Sequence, residues 1–89
     1  MRAVITVIGK DKIGIIAGVT AILAENRINI LDISQTILQD FFTMVMIVDT
    51  KQCELKFEEL QNQLRVKGEE MNLSIRIQHE DIFNSMHKI

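Results

Sequence analysis

Two short segments of this chain are apolar at nearly every position, and they limit the possible folds more than any other feature. The first runs from Ala3 to Ile8 and the second from Phe41 to Val48. Both are rich in β-branched or aromatic side chains, which favour β-strands. Because a strand that is apolar on both sides belongs where both of its faces are covered, we predict that the two segments form the central strands of one sheet.

Two further segments alternate between apolar and polar residues, as strands with one exposed face do. One runs from residue 28 or 29 to about residue 38, and the other runs from residue 73 to residue 79. In the first of them, Leu31, Ile33 and Ile37 are predicted to share one face of the sheet. We therefore place both segments at the edges of the sheet.

Two segments carry apolar residues at helical spacing. They span about residues 13–26 and about residues 56–71. The apolar residues that we expect on one side of each helix are Ile15, Ile16, Val19, Ile22 and Leu23 in the first and Phe57, Leu60, Leu64 and Met71 in the second. Each helix follows a central strand and leads to an edge strand, so the predicted order is β-α-β-β-α-β.

This order predicts a ferredoxin-like sandwich of the α+β class. Right-handed crossovers put both helices on one face of an antiparallel sheet with the strand order 4-1-3-2. Residues 1–79 then form one domain, followed by a tail of residues 80–89. The length of 89 residues suits a single small domain.

The second face of the sheet is left without helices, although both central strands are apolar on that face. Soluble monomers rarely expose such a patch. Either a second subunit packs on this face or extends the sheet from an edge, or the tail folds over the face. The tail residues Ile82, Phe83, Met86 and Ile89 lie at helical spacing. We predict a homodimer and a short amphipathic C-terminal helix.

Composition places the protein among ordinary globular domains and excludes several kinds of partner. The net charge of −2 and the pI of about 5.6 give no general attraction to nucleic acid or to anionic lipid. No apolar run approaches the ~18 residues of a membrane span. The single cysteine, Cys53, fits a reducing compartment. We expect a soluble cytoplasmic protein that binds neither nucleic acid nor membrane.

The residue types that carry catalysis are not arranged for it. A phosphate-binding loop needs Lys and Ser or Thr after its second glycine, but Ile15 and Ile16 follow Gly14. Cys53 has no histidine nearby in the sequence to act as a base. The candidate metal ligands are His79, Glu80, Asp81 and His87, which we interpret as surface residues. We expect no enzyme activity, no cofactor and no metal.

A loop bracketed by Gly9 and Gly14 joins the first strand to the first helix. Glycine allows the backbone to bend sharply or to be approached closely. The first turn of the helix that follows has unpaired N–H groups and the positive end of the helix dipole, and both suit an anion such as a carboxylate. The loop is therefore our candidate binding site.

The loop and the residues after it resemble the ACT domain, a regulatory module that binds amino acids. The matching segments are Gly9–Ile16, Leu23–Asn26 and Asn29–Ile30. The resemblance covers nearly the whole chain, from Arg2 to about His79. It is strongest to stand-alone bacterial proteins with a single ACT domain, and the loop is also similar to those of the glycine cleavage repressor and of formyltetrahydrofolate deformylase.

The resemblance implies a ligand site between two ACT domains, at the first loop and the start of the second strand. Carried over to this chain, the site residues are Asp11, Ile13, Gly14, Ile15, Asn29 and Ile30. The N–H groups of residues 13–15 would hold the carboxylate of an amino acid, and Asp11 or Asn29 would accept from its ammonium group. A metabolic enzyme or another regulator would be the protein partner.

Two positions depart from the serine-sensing members of the family. Gly9 stands where those members have a side-chain donor, and Asp11 stands where they have Asn. A carboxylate at position 11 would repel the carboxylate of a ligand close to it. The alternative is a ligand-free module that contacts another protein through its apolar sheet face or its edge strands, with the glycine loop serving only the architecture.

Overall fold

The computed structural model describes residues 1–10 and 14–86. Within them the chain forms four strands and three helices in the order β1 (Arg2–Gly9), α1 (Ile15–Glu25), β2 (Asn29–Leu38), β3 (Phe41–Asp49), α2 (Phe57–Met71), β4 (Ser74–His79) and α3 (Glu80–Met86). Each predicted element is present, with ends that differ from the prediction by one or two residues. Residues 11–13 of the glycine loop and residues 87–89 of the predicted tail lie outside the described residues.

The four strands form one antiparallel sheet with the order β2-β3-β1-β4, which is 4-1-3-2 when read from the other edge. The apolar strands β1 and β3 are central and pair along their whole lengths, from Arg2 opposite Asp49 to Gly9 opposite Phe42. The two alternating strands lie at the edges. The ferredoxin-like fold predicted from the order of the elements is therefore present.

A β-bulge near the start of β2 changes which of its residues face the core. Ile30 lies opposite Val48, but Asp32 lies opposite Ile47, so Leu31 is an extra residue in the ladder. The predicted run of Leu31, Ile33 and Ile37 on one face is therefore broken at Leu31. Ile30 packs against the core in its place. Sequence alternation does not reveal such an insertion, because the bulge adds one residue without a turn signal.

The core lies between the two long helices and one face of the sheet. Its sheet residues are Ala3, Ile5, Val7, Phe42, Met44, Met46, Val48, Ile75 and Ile77, and its residues from the helices and the α1–β2 turn are Ile15, Val19, Leu23, Ile28, Leu60 and Leu64. Ile16 was predicted on the core side of α1 but is 41% exposed. It lies 100° around the helix from Ile15, at the margin of the buried stripe.

Glycines let α1 and α2 approach their neighbours closely. A Cβ at Gly18 would lie 2.8 Å from the sulfur of Met71, so α1 passes close to the end of α2. A Cβ at Gly68 would lie 2.8 Å from the backbone oxygen of Leu73. Gly18 therefore faces α2, and the opposite margin of α1, which includes Ile16, faces away from α2.

The helix α3 packs against β1 and β4 on the face of the sheet that α1 and α2 leave uncovered. An ion pair of 3.0 Å between Arg2 and Glu80 holds its first residue to β1. Val4, which points to this face, is only 3% exposed, whereas Ile8 farther along β1 is 41% exposed. The predicted C-terminal helix therefore covers part of the second face. Among the described residues, no helix is long and apolar enough to span a bilayer.

Candidate functional site

The glycine loop leaves β1 at Gly9 and enters α1 at Gly14. Gly14 is the N-cap of α1 and has a φ of 76°, a left-handed conformation that favours glycine. A Cβ at Gly14 would meet no atom within 4 Å. The backbone angle, not close packing against the sheet, therefore explains glycine at this position.

Gly9 is required for a different reason, because a Cβ on it would collide with the side chain of Leu73. Leu73 follows α2 and packs against the core at the end of β1. The space that would hold a side-chain donor at position 9 is thus filled by a leucine. This packing gives a physical reason for the departure of this loop from the serine-sensing pattern.

The first turn of α1 has backbone donors without a partner among the described residues. The N–H of Gly18 donates to the oxygen of Gly14 at 2.9 Å, so the preceding N–H groups of Ile15, Ile16 and Ala17 have no acceptor within the helix. The first turn has no acidic residue and no side-chain cap. Among the described residues, no acidic side chain of this turn offsets the positive helix end, which can therefore attract an anion. The predicted site residues Asp11 and Ile13 lie outside the described residues.

Asn29 and Ile30 lie at the other end of the sheet from the loop. Asn29 is opposite Asp49 at the end of β3, whereas Gly9 is opposite Phe42 near its start. Phe42 and Asp49 are seven residues apart, which is about 23 Å along a strand. The two halves of the predicted site are therefore not brought together within one chain.

Asn29 borders a shallow cavity of about 320 Å³ that is also lined by Arg27, Asp49, Lys51 and Gln52. The backbone N–H of Lys51 donates to Asp49 Oδ1 at 2.9 Å and holds the pKa of that carboxyl below its usual value, with help from the N-terminal ammonium at 3.3 Å. Asp49 therefore keeps its negative charge beside Asn29. Sequence reasoning missed Arg27 and Asp49, because neither belongs to a motif.

Apolar side chains are exposed beside β2. Ile33 and Ile37 lie opposite the core residues Met46 and Phe42, and so they point to the side of the sheet that carries α1. They are nevertheless 39% and 63% exposed. Ile16 is exposed on the margin of α1 that faces away from α2. These three isoleucines and the outer edge of β2 form one exposed region, the β2 surface.

The other residues that the sequence offers for catalysis or metal binding make contacts typical of structural residues. The ring of His79 stacks on Phe57, with 4.1 Å between ring centroids and 26° between planes. Cys53 is half-buried, and its Sγ lies 3.9 Å from the oxygen of Leu55. Residues 1–10 and 14–86 contain no group of three side chains placed to hold a metal ion. His87 lies outside those residues.

Comparisons with known proteins agree with the resemblance seen in the loop. The sequence model of the ACT domain family matches residues 2–78. A UPF0237 protein of Clostridium acetobutylicum is 56% identical over 89 residues, which is 100% of both chains. The solved structure of an ACT domain protein from Streptococcus pneumoniae has a TM-score of 0.84 and 46% identity, and the match covers 93% of each chain.

More distant solved structures include the two proteins whose loops the glycine loop resembles. A formyltetrahydrofolate deformylase from Pseudomonas syringae matches with a TM-score of 0.78 and 21% identity, over 88% of this chain and 27% of that chain. A protein assigned as a glycine cleavage system transcriptional repressor matches with a TM-score of 0.72 and 22% identity, over 86% and 43%. At these identities they show a shared fold. The family model and the close relatives establish that this chain belongs to the ACT domain family.

Proposed function

We propose that the protein is a small cytoplasmic regulator that senses an amino acid as a homodimer and acts on a protein partner, either a metabolic enzyme or another regulator. The glycine loop of one copy and the start of β2 of the other form the ligand site. One observation carries this proposal. The two halves of the predicted site lie at opposite ends of the sheet, about 23 Å apart within one chain, and among the described residues no further strand pairs with the outer edge of β2.

A two-fold axis beside β2 would bring the two halves together. If two copies pair their β2 strands antiparallel, the start of each β2 lies beside the end of the other. The end of β2 is also the end at which the glycine loop lies, because Ile37 is opposite Phe42 and Phe42 is opposite Gly9. Asn29 of a second copy would then approach the glycine loop of the first.

The same pairing would cover the β2 surface. An exposed ten-residue edge strand with apolar side chains is prone to pair with another chain. The pairing would satisfy the outer backbone groups of β2 and remove Ile16, Ile33 and Ile37 from water, which is favourable at about 25 cal/mol per Å² of apolar surface. The dimer therefore has a driving force that does not depend on the ligand.

The chemistry of the site suits the two ends of an amino acid. The N–H groups of the first turn of α1 would hold the carboxylate, and the first turn itself contains no acidic residue. Asp11 of the loop, or Asn29 of the second copy, would accept from the ammonium group. A ligand held by two copies favours their association by mass action, and this change in association would be the signal passed to the partner.

A ligand-free interaction module is the second candidate, and exposed apolar residues on the other face favour it. Ile8 and Phe41 are 41% and 42% exposed, and α3 leaves them uncovered. A protein that docks on this face or on an edge strand would bury them. In that case the glycine loop would have only an architectural role, and no amino acid would change the stability of the chain.

A thermal-shift screen with the twenty amino acids separates the two candidates. A ligand at 100 times its Kd stabilises the protein by ~2.7 kcal/mol, which raises Tm by several degrees for a domain of this size. We expect one or a few amino acids to give such a shift, and we expect Asn29→Ala to abolish it. Asn84→Ala, on the exposed side of α3, is the matched control and should keep the shift. No shift with any amino acid would favour the ligand-free module.

A further inference from the structure

The helix α3 and the sheet face beneath it form a cavity that the proposed amino-acid site does not use. Its volume is about 440 Å³, which falls within the ~300–1,000 Å³ typical of small-molecule sites. The floor is the outer face of β1, β3 and β4, and one wall is α3. Ile8 and Val45 on the sheet and Phe83 and Met86 on α3 give the cavity an apolar side.

The other side of the cavity is polar and follows β4. Arg76 lies directly opposite Thr6 of β1, and Ser74 and Gln78 lie two residues away on the same face of β4. The Nε2 of Gln78 also contacts the sulfur of Met86 at 3.4 Å, so the polar row reaches the helix that forms the wall. Hydroxyl and amide groups of this kind can orient a bound carboxylate.

Arg76 is the one charged residue among the described residues that line this cavity. Within residues 1–10 and 14–86 its guanidinium forms no ion pair, whereas Arg2 and Arg65 are paired with Glu80 and Glu69. A guanidinium binds a carboxylate through two parallel hydrogen bonds. The cavity therefore combines an arginine that has no ion-pair partner among the described residues with an apolar space.

This combination selects one class of ligand. We propose that the cavity binds a small organic monoanion, namely a carboxylate that carries an apolar chain or ring and has no ammonium group. Arg76 pairs with the carboxylate, and Ile8, Val45, Phe83 and Met86 contact the apolar part. An amino acid fits poorly, because its ammonium group would lie beside a guanidinium, and the described lining residues include no carboxylate to accept from it.

The site is separate from the proposed amino-acid site. The first turn of α1 lies on the helix-covered face of the sheet, whereas this cavity lies on the opposite face, under α3. The ion pair between Arg2 and Glu80 fixes the start of the wall. Occupancy of the cavity would stabilise α3 on the sheet without requiring a second copy.

The test is a titration of the full chain with 3-phenylpropanoate, followed by amide chemical shifts in NMR spectra. We expect saturable shifts in β4 and α3. We expect Arg76→Gln to raise the Kd by about tenfold or more, as loss of a charged bidentate pair should. Arg65→Gln is the matched control, because Arg65 lines the neighbouring cavity between α2 and β4, which Arg76 also borders. This control should leave the Kd unchanged.

Two further probes test the chemical class without changing the protein. 3-Phenylpropanamide has the same ring and chain but no charge, and it should bind more weakly than the carboxylate and equally to the parent chain and to Arg76→Gln. Phenylalanine adds the ammonium group and should not displace 3-phenylpropanoate. Binding of the carboxylate that is unchanged in Arg76→Gln, or shifts confined to α2, would overturn the proposal.

A second copy on this face is the other possible occupant. It would produce shifts in β4 and α3 that depend on protein concentration and not on 3-phenylpropanoate, and that result would also overturn the proposal. If 3-phenylpropanoate does not bind as expected, the conclusion from the amino-acid screen is unaffected, because that screen tests Asn29 and not Arg76.

Discussion

At one edge of the sheet, β2 runs for ten residues and exposes Leu31, Ile33 and Ile37. At the other edge, β4 runs for six residues, and its outward side chains are polar. The two edges also differ in their backbone acceptors, because the oxygen of Ile77 on β4 accepts from Gln61 Nε2 at 3.4 Å. Short, polar and partly capped edges are those that resist pairing with other chains.

This difference assigns different roles to the two edges. β4 joins α2 on one side and α3 on the other, and it has little apolar surface left to bury. β2 has exposed isoleucines, and within the described residues no side chain bonds to its outer edge. Its first residues, Asn29 and Ile30, belong to the predicted ligand site. We therefore expect association at β2 and none at β4.

The largest effect is expected from Ile33→Lys. Ile33 is near the middle of β2, so a two-fold axis beside the middle of the strand would place it close to its own counterpart. Two lysines there would repel each other and would replace an apolar contact, and we expect the dimer Kd to rise by roughly 100-fold. Sedimentation equilibrium measures this change. Ser74→Lys on β4 is the control and should leave the Kd unchanged; equal effects of the two variants would contradict the contrast.

A smaller effect is expected at the β4 edge from Gln61→Met. The change removes the donor to Ile77 while keeping a side chain of similar length and helix propensity. The free energy of unfolding should fall by about 0.5–1.5 kcal/mol, the usual net value of one hydrogen bond. Urea unfolding measures the loss, with Gln52→Met in an exposed turn as the comparison. If Gln61→Met also increased self-association, this would show that Gln61 protects the β4 edge from pairing with another chain, beyond its contribution to stability.

The smallest effect concerns Asp49, beside the start of β2. The pKa of this exposed carboxyl is lowered in the folded chain, first by the Lys51 N–H, so the folded state binds a proton less readily than the unfolded state. Its stabilising contribution is therefore complete above the ordinary pKa of about 4 and is lost as the pH falls through the lowered value. Asp49→Asn should remove this part of the acid dependence in urea unfolding, and an unchanged acid dependence in that variant would contradict the assignment.

Most of the fold could be predicted because its patterns are local. The apolar runs of β1 and β3 and the alternation in β4 determine the central and edge positions of these strands directly. The bulge at Leu31 could not be predicted, since an inserted residue leaves the composition of the strand unchanged. The collision between a side chain at position 9 and Leu73 also escapes the sequence, because it joins residues 64 positions apart.

The candidate site could be predicted only as a set of residue types. The place of Gly14 between a strand and a helix predicts a sharp bend of the backbone there, and its positive φ agrees with that interpretation. The separation of Asn29 from the loop follows from the pairing of β2 with β3. This pairing joins distant parts of the chain and cannot be derived from a local sequence pattern. Arg27 and Asp49 reach the cavity beside Asn29 for the same reason.

The central claim is that the loop of one copy and Asn29 of another form one site. It is tested most directly by mixing two variants, Gly14→Val and Asn29→Ala. Each is expected to bind poorly alone, and valine does so at position 14 because the φ of 76° at this N-cap disfavours it. In a mixed dimer one site carries both changes and the other carries neither, so equal amounts should restore about one quarter of the binding sites. Isothermal titration with the amino acid that gives the largest thermal shift measures this fraction. Restoration to about one quarter is the predicted result, and no restoration in a mixture that forms dimers would contradict a shared site.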